Sequence, residues 1–213
     1  MRFPPLPISL VIAAAVASSG CANKPLASVD RSIYRTAAIS PSVKMPGKYH
    51  YADLTGERAR GAAAQFGLVG ALAGAAVAAS SEGPGRQRFD RVVATNPVDV
   101  RGLLHSQFEK TLRESKLFAL TPANPDATFH LVVDSYGVAP ANKRELGGVI
   151  TAQATLLDRT GKTIWSRRES ALSNTTAMLE GYEANPRLWP QVMEEAAQQL
   201  TRKLVLYTDA ARR

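Results

Sequence analysis

The chain has 213 residues, one cysteine, and a net charge of +8 from 26 Lys and Arg against 18 Asp and Glu. That length holds one domain of ordinary size with appendages. A single cysteine excludes an intramolecular disulfide, and with only three histidines a Cys/His metal centre lacks partners.

Residues 1–20 begin with Arg2, carry an apolar stretch from Ile8 to Ala17 too short for a comfortable membrane span, and end in small residues. The lone cysteine, Cys21, follows Ser18-Ser19-Gly20 directly. This resembles a bacterial lipoprotein signal. The resemblance implies removal of Met1 to Gly20, a diacylglycerol-type modification with palmitate-like acyl chains at Cys21, and a mature N-terminus at that residue. Ser18 stands where the family most often has Leu. A second route is open: Ala15-Val16-Ala17 is an Ala-x-Ala site, and cleavage before Ser18 would release a soluble protein. Secreted proteins seldom keep one unpaired thiol, which favours the lipid. Ala22 occupies the place where an inner-membrane retention signal would put Asp. By the same resemblance the destination is the outer membrane, with the domain in the periplasm.

Without the leader the chain loses only Arg2, so 25 basic residues face 18 acidic ones and the exported part carries +7. Outside the inner membrane, lipid head groups, lipopolysaccharide phosphates and cell-wall carboxylates replace nucleic acid as the expected counter-charges. A solvated basic surface with no dedicated ligand is the plainer alternative. Residues 21–31 read as a lipidated tether, 32–60 as an N-terminal strand region, 61–85 as an insertion, 86–208 as the periplasmic domain and 209–213 as a tail. Within the second of these, Ser32 to Val43 is an expected strand ended by Pro41 or Pro46. Lys48 to Leu54 extends it or forms a hairpin partner.

Gly61 to Ser81 carries no charge, and small residues recur every fourth position through Ala63, Gly67, Ala71, Ala75 and Ala79. A second row runs Gly70, Gly74 and Ala78. On a helix these rows form a smooth stripe that lets another backbone approach. The segment resembles the glycine zippers of several outer-membrane lipoproteins, which implies self-association through Gly67, Gly70, Gly74 and Ala78. Its Ala and Gly content argues against a bilayer span. A soluble Ala-rich helix on the same domain and disorder remain the other readings. Glu82-Gly83-Pro84-Gly85 reads as a break.

From Phe89 the pattern is α+β. Asn96-Pro97 offers a cap followed by Pro at the first helical position, and Val100, Leu103, Leu104, Phe108 and Leu112 mark one helix face as far as Ser115. Leu117 to Leu120 leads into a Pro/Asn/Asp turn. Phe129, Leu131 and Val133 alternate as a strand, Gly147 to Leu157 is a second, and Asp158 to Lys162 turns into a third from Thr163 to Ser170. Asn185-Pro186 repeats the cap-then-proline start. Trp189, Val192, Ala196, Leu200, Leu204 and Tyr207 line a last amphipathic helix. Glu-Ser-Lys-Leu-Phe (114–118), Ala-Thr-Phe-His-Leu-Val-Val-Asp (127–134) and the Asp158, Gly161, Lys162, Trp165 hairpin resemble periplasmic domains of bacterial assembly lipoproteins. The domain of curli-secretion lipoproteins is similar. The likeness covers Pro97 to Thr208 and lacks that family's barrel-forming hairpins. It implies a two-layer sandwich of a mainly antiparallel sheet with two amphipathic helices that binds other envelope components.

Catalytic patterns are sparse. His50, His105 and His130 lie outside any HExxH spacing, no Gly-x-Ser-x-Gly elbow occurs, and Gly67, Gly70 and Gly74 make neither a dinucleotide fingerprint nor a P-loop. Glu194 and Glu195 are adjacent on a helix and diverge by about 100°. Trp165 and Trp189 read as core or rim. Lys143-Arg144 and Arg167-Arg168 are the expected surface-binding residues, near strand ends. The expected function is a lipid-anchored, non-enzymatic structural or assembly accessory of the cell envelope with no cofactor. Its expected partners are the membrane, other envelope proteins or anionic surfaces, and a second copy of itself. The alternative is an oligomerising, membrane-associated component of an export or pore complex built on the Ala/Gly segment; a hydrolase ranks third.

Overall fold

In the computed structural model the chain is described over residues 24–52 and 83–206. Three long strands come first in importance: β4 (Ala127–Pro140), β5 (Leu146–Asp158) and β6 (Thr163–Ala177) form an antiparallel meander. Three short ones, β1 (Thr36–Ile39), β2 (His50–Tyr51) and β3 (Ala119–Leu120), complete a mixed sheet in the order β3-β1-β4-β5-β6, with β2 also on β4. The helices are α1 (Pro84–Thr95), α2 (Val100–Ser115), α3 (Leu179–Ala184) and α4 (Leu188–Leu206). The fold is α+β, as expected.

The alternation read from the sequence sets the two faces of the sheet. Phe129, Leu131 and Val133 pair in register with Leu156, Ala154 and Ala152, and all six are buried. α4 covers β5 and β6 on this side and packs against α2, with the Thr111 and Thr201 hydroxyls 3.1 Å apart, while its Ala196, Ala197 and Leu200 are fully buried. Gly148 lets α4 come close: a Cβ there would stand 2.7 Å from the Val192 carbonyl oxygen. The opposite face is polar, with Thr151 bonded to Ser170 at 2.8 Å and Gln153 to Ser166 at 2.7 Å. A bulge between Val133 and Ser135 moves the register by one, so Ser135 faces Thr151 and Tyr136 faces Ile150.

Several local expectations are refined. Of the two readings of Lys48 to Leu54, His50–Tyr51 continues the line of the first strand and is no hairpin partner. β1, the Lys44–Val132 bridge and β2 all run parallel to β4, as one strand broken in the middle, with β3 outside β1. Pro41 and Pro46 fall in the interruption, where a missing N–H cannot join a ladder. Pro84 opens a helix not expected from the sequence, α1, which buries only Phe89 and Val92. Asn96 and Asn185 do not begin helices but end α1 and α3, donating their N–H groups to Val92 O and Gly181 O. α2 is capped by Asp99, whose carboxylate accepts the Gly102 N–H at 3.0 Å. Each Asn-Pro therefore separates a short helix from a long one, because proline cannot continue the preceding ladder.

From Lys24 onward the expected tether is part of the fold. Leu26 is 2% exposed and Val29 8%, a 3-10 turn spans Leu26–Ser28, and the Trp165 indole N–H donates to the Lys24 carbonyl at 2.8 Å. Both tryptophans are buried.

Candidate functional site

Cys21 and the row Gly67, Gly70, Gly74 and Ala78 lie outside the described residues. The four basic residues expected on one surface are placed differently. Lys143 and Arg144 are exposed in the β4–β5 turn, where the Asn142 side-chain oxygen accepts the Arg144 and Glu145 N–H groups at 2.9 and 3.0 Å. Arg167 and Arg168 are not at a strand end, since β6 continues to Ala177 and they pair with Ala154 and Gln153 in its middle. Successive strand residues face opposite sides. Arg167 accordingly shares the helix-facing side with Trp165, is 4% exposed, and donates to the Glu169 carboxylate at 2.8 Å. Arg168 faces the polar side and donates to Asp134 at 2.8 Å. Seven residues of strand separate this pair from the β4–β5 turn, about 23 Å. No single basic patch forms from these four.

A different cluster gathers where β4 begins and β5 ends. Asp126 joins the N-terminal segment to it: its carboxylate accepts from the Arg35 and Thr36 N–H groups and the Thr36 hydroxyl, at 3.1, 3.0 and 2.8 Å. Arg159 adds an ion pair at 3.0 Å. Those hydrogen bonds, chiefly from Thr36, hold the Asp126 carboxyl below its ordinary value. In the β5–β6 turn the Asp158 carboxylate accepts from the Thr160 hydroxyl and N–H and from the Lys162 N–H, which lowers its pKa likewise. Ile33, Tyr34, Asp126, Asp158, Arg159 and Thr160 line a shallow groove of about 250 Å³ between the two segments. Ile33 is 60% exposed, the largest value among the big apolar side chains described.

At the other end of β4, Phe89 of α1 meets the rings of Tyr49, Tyr51, Tyr182 and Trp189 at centroid distances of 5.5 to 6.0 Å. The Tyr49 hydroxyl donates to Asp90, and the Arg86 guanidinium lies 4.4 Å from the Tyr49 ring centroid and 3.2 Å from Asp90. The Tyr49 hydrogen bond, more than Arg86, lowers the Asp90 pKa, whereas burial, with Arg86 nearby, lowers that of His50. Gly137 at φ +149 lets β2 approach; a Cβ there would sit 1.8 Å from the His50 carbonyl oxygen. Sequence reasoning missed Tyr49, Arg86, Phe89 and Asp90, which come from two segments with no shared pattern.

The remaining candidates are structural or separate. The Glu195 carboxylate accepts the Thr175 N–H and hydroxyl at 2.8 and 2.7 Å, tying α4 to β6, while Glu194 is exposed. His105 lines a second groove with Glu109 and Arg113, and His130 lies on the polar face of the sheet, apart from His50. Among the described residues, no three His, Cys, Asp or Glu side chains converge as a metal site.

No protein-family model and no curated protein matches the sequence. Solved structures with a similar chain path include the hypothetical protein CT253 from Chlamydia trachomatis, at 10% identity and TM-score 0.43, covering 80% of this chain and 93% of that one. A minor lipoprotein from Acinetobacter baumannii is similar at 16% identity and TM-score 0.37, covering 81% and 91%. The PelC L103M dodecamer from Paraburkholderia phytofirmans is similar at 12% identity and TM-score 0.34, covering 76% and 86%.

Proposed function

We propose that the chain is a lipid-anchored cell-envelope protein that acts as a structural or assembly accessory by binding rather than turnover. The observation that carries this reading is Cys21, the one cysteine of the chain, placed directly after an apolar leader and small residues. Lys24, three positions later, is already held by the Trp165 indole, so little chain lies between an acylated Cys21 and the domain. The acidic groups that sit in grooves and strand junctions serve the fold: Asp126 holds Thr36, Asp158 holds Thr160, and Glu195 holds Thr175. No described helix is long and apolar enough to cross a membrane. The small-residue rows through Gly67, Gly70, Gly74 and Ala78 favour, as a second reading, self-association of the anchored protein.

Metabolic labelling with a fatty-acid analogue tests the anchor. The wild-type protein should take up label and Cys21→Ser should not. Equal labelling of both, or a mature N-terminus at Ser18, overturns it. For self-association, Gly70→Leu with Gly74→Leu should abolish cross-linked oligomers, and an unchanged oligomer pattern refutes that reading.

A further inference from the structure

We propose that the end of the domain formed by Lys24, Ile33 and the β5–β6 turn lies flat against the anionic phospholipid surface that holds the anchor. This rests on acylation of Cys21. Only Ala22 and Asn23 lie between Cys21 and Lys24, three Cα steps with a reach of about 10 Å at full extension. Lys24 cannot swing away freely, because its carbonyl accepts the Trp165 indole N–H and Leu26 and Val29 are buried just behind it. The membrane must therefore meet the end of the domain where β6 begins.

The chemistry of that end fits a lipid head-group layer. Lys24, Arg31, Arg35, Arg159 and Lys162 are all exposed in the segments that meet at this end, and the exposed Ile33 lines the same groove as Arg159. Three acids share the region, and each is occupied within the fold: Asp30 by Ser32, Asp126 by Thr36 and Arg159, and Asp158 by Thr160. Five cations against three acids leave a net charge of +2. An exposed apolar side chain in a groove at an end with excess basic charge is the pattern that enters the interface between acyl chains and anionic head groups. Lys143 and Arg144 sit beyond the opposite end of β4, whose fourteen residues span about 40 Å. They face away from the membrane and leave that turn open to other envelope components.

Acylation occupies the only native thiol, so single cysteines can carry an environment-sensitive dye. The mature full-length protein, dye-labelled at Ile33→Cys, Lys162→Cys or Lys143→Cys, is reconstituted in phosphatidylethanolamine–phosphatidylglycerol vesicles containing brominated lipid. Dye at Ile33→Cys and Lys162→Cys should emit to the blue and be quenched; dye at Lys143→Cys should behave as in water. Quenching at Lys143→Cys equal to that at the other two sites, or water-like emission at all three, overturns the orientation. Replacing phosphatidylglycerol by phosphatidylcholine should reduce quenching at Lys162→Cys, and an unchanged signal there removes the role of the cations. Fatty-acid labelling of the same variants keeps the two ideas apart. Absence of label on all of them refutes the anchor, whereas label with the wrong quenching pattern refutes only the orientation.

Discussion

Each end of β4 is organised around one phenylalanine, and the two surroundings differ in kind. Phe129 meets Phe108, Phe118 and Trp165 edge-on, at centroid distances of 5.3, 5.6 and 6.2 Å, and none of its three neighbours carries a charge. Phe89 meets three tyrosines and a tryptophan, with Asp90, Arg86 and His50 close behind. The Phe129 cluster unites long elements that bury large apolar areas. The Phe89 cluster fastens α1, β2 and α3, elements of 12, 2 and 6 residues that have little stability of their own, to Trp189 at the start of α4. The end where β4 begins is thus a hydrocarbon core, and the end where it finishes is a patchwork held partly by polar bonds that respond to solution conditions.

The largest test of this contrast is Phe129→Ala beside Phe89→Ala. Both side chains are fully buried, and each change should cost about 3–5 kcal/mol. Phe129→Ala should lower protection from hydrogen exchange throughout β4, β5 and β6. Phe89→Ala should release α1, β2 and α3 first, and equal loss in both regions would mean that the two ends form one cooperative unit. Next comes Gly137→Ala, which puts a methyl group into the β2 backbone and should cost about 1–3 kcal/mol. Its exchange signature should centre on residues 49–52.

Smaller effects separate the ends more finely. Tyr49→Phe removes the hydroxyl bonded to Asp90 and should cost about 1 kcal/mol. Trp165→Phe removes the donor to Lys24 and, by leaving part of a buried ring's space empty, should cost about 2 kcal/mol. The first should loosen α1 and the second the segment 24–30. Mild acid is the gentlest test. His50 has a depressed pKa in the folded state, so the unfolded chain takes up its proton first, near 6.5. Its contribution is complete above that pH and is lost as the pH falls towards the lower folded value. Asp90, Asp126 and Asp158 are also depressed, but their contributions are lost only as the pH drops below about 3.8. Between pH 7 and 5 the end around Phe89 should therefore loosen while the end around Phe129 holds, and His50→Gln should remove that difference.

The parts of this fold that repeat over a few residues could be read directly. Phe129, Leu131 and Val133 announce β4, the Asp158 to Lys162 turn announces its hairpin, and Val192, Ala196 and Leu200 announce α4. The same alternation carried a warning about the basic residues, since counting by twos from Trp165 puts Arg167 and Glu169 inside. Reading them as a charged pair at a strand end overlooked the period. The parallel edge had no such signal, because β1 and β2 pair with a strand about ninety residues away and two prolines hide their continuity. α1 was obscured by burying only two apolar side chains. Ile33 as an exposed apolar residue in a groove is visible only once Asp126 and the β5–β6 turn are brought beside it.

That parallel edge also sets an order of assembly. Loop-closure entropy favours contacts between near neighbours, so the β4–β5–β6 meander should form before β1 and β2 find β4. Until they arrive, the outer edge of β4 is an open template for another chain. The delay depends only weakly on the length of the intervening sequence, since doubling a flexible loop costs about 0.6 kcal/mol. The N-terminus leaves the ribosome first, so β1 and β2 are made long before the strand they pair with and must wait for it.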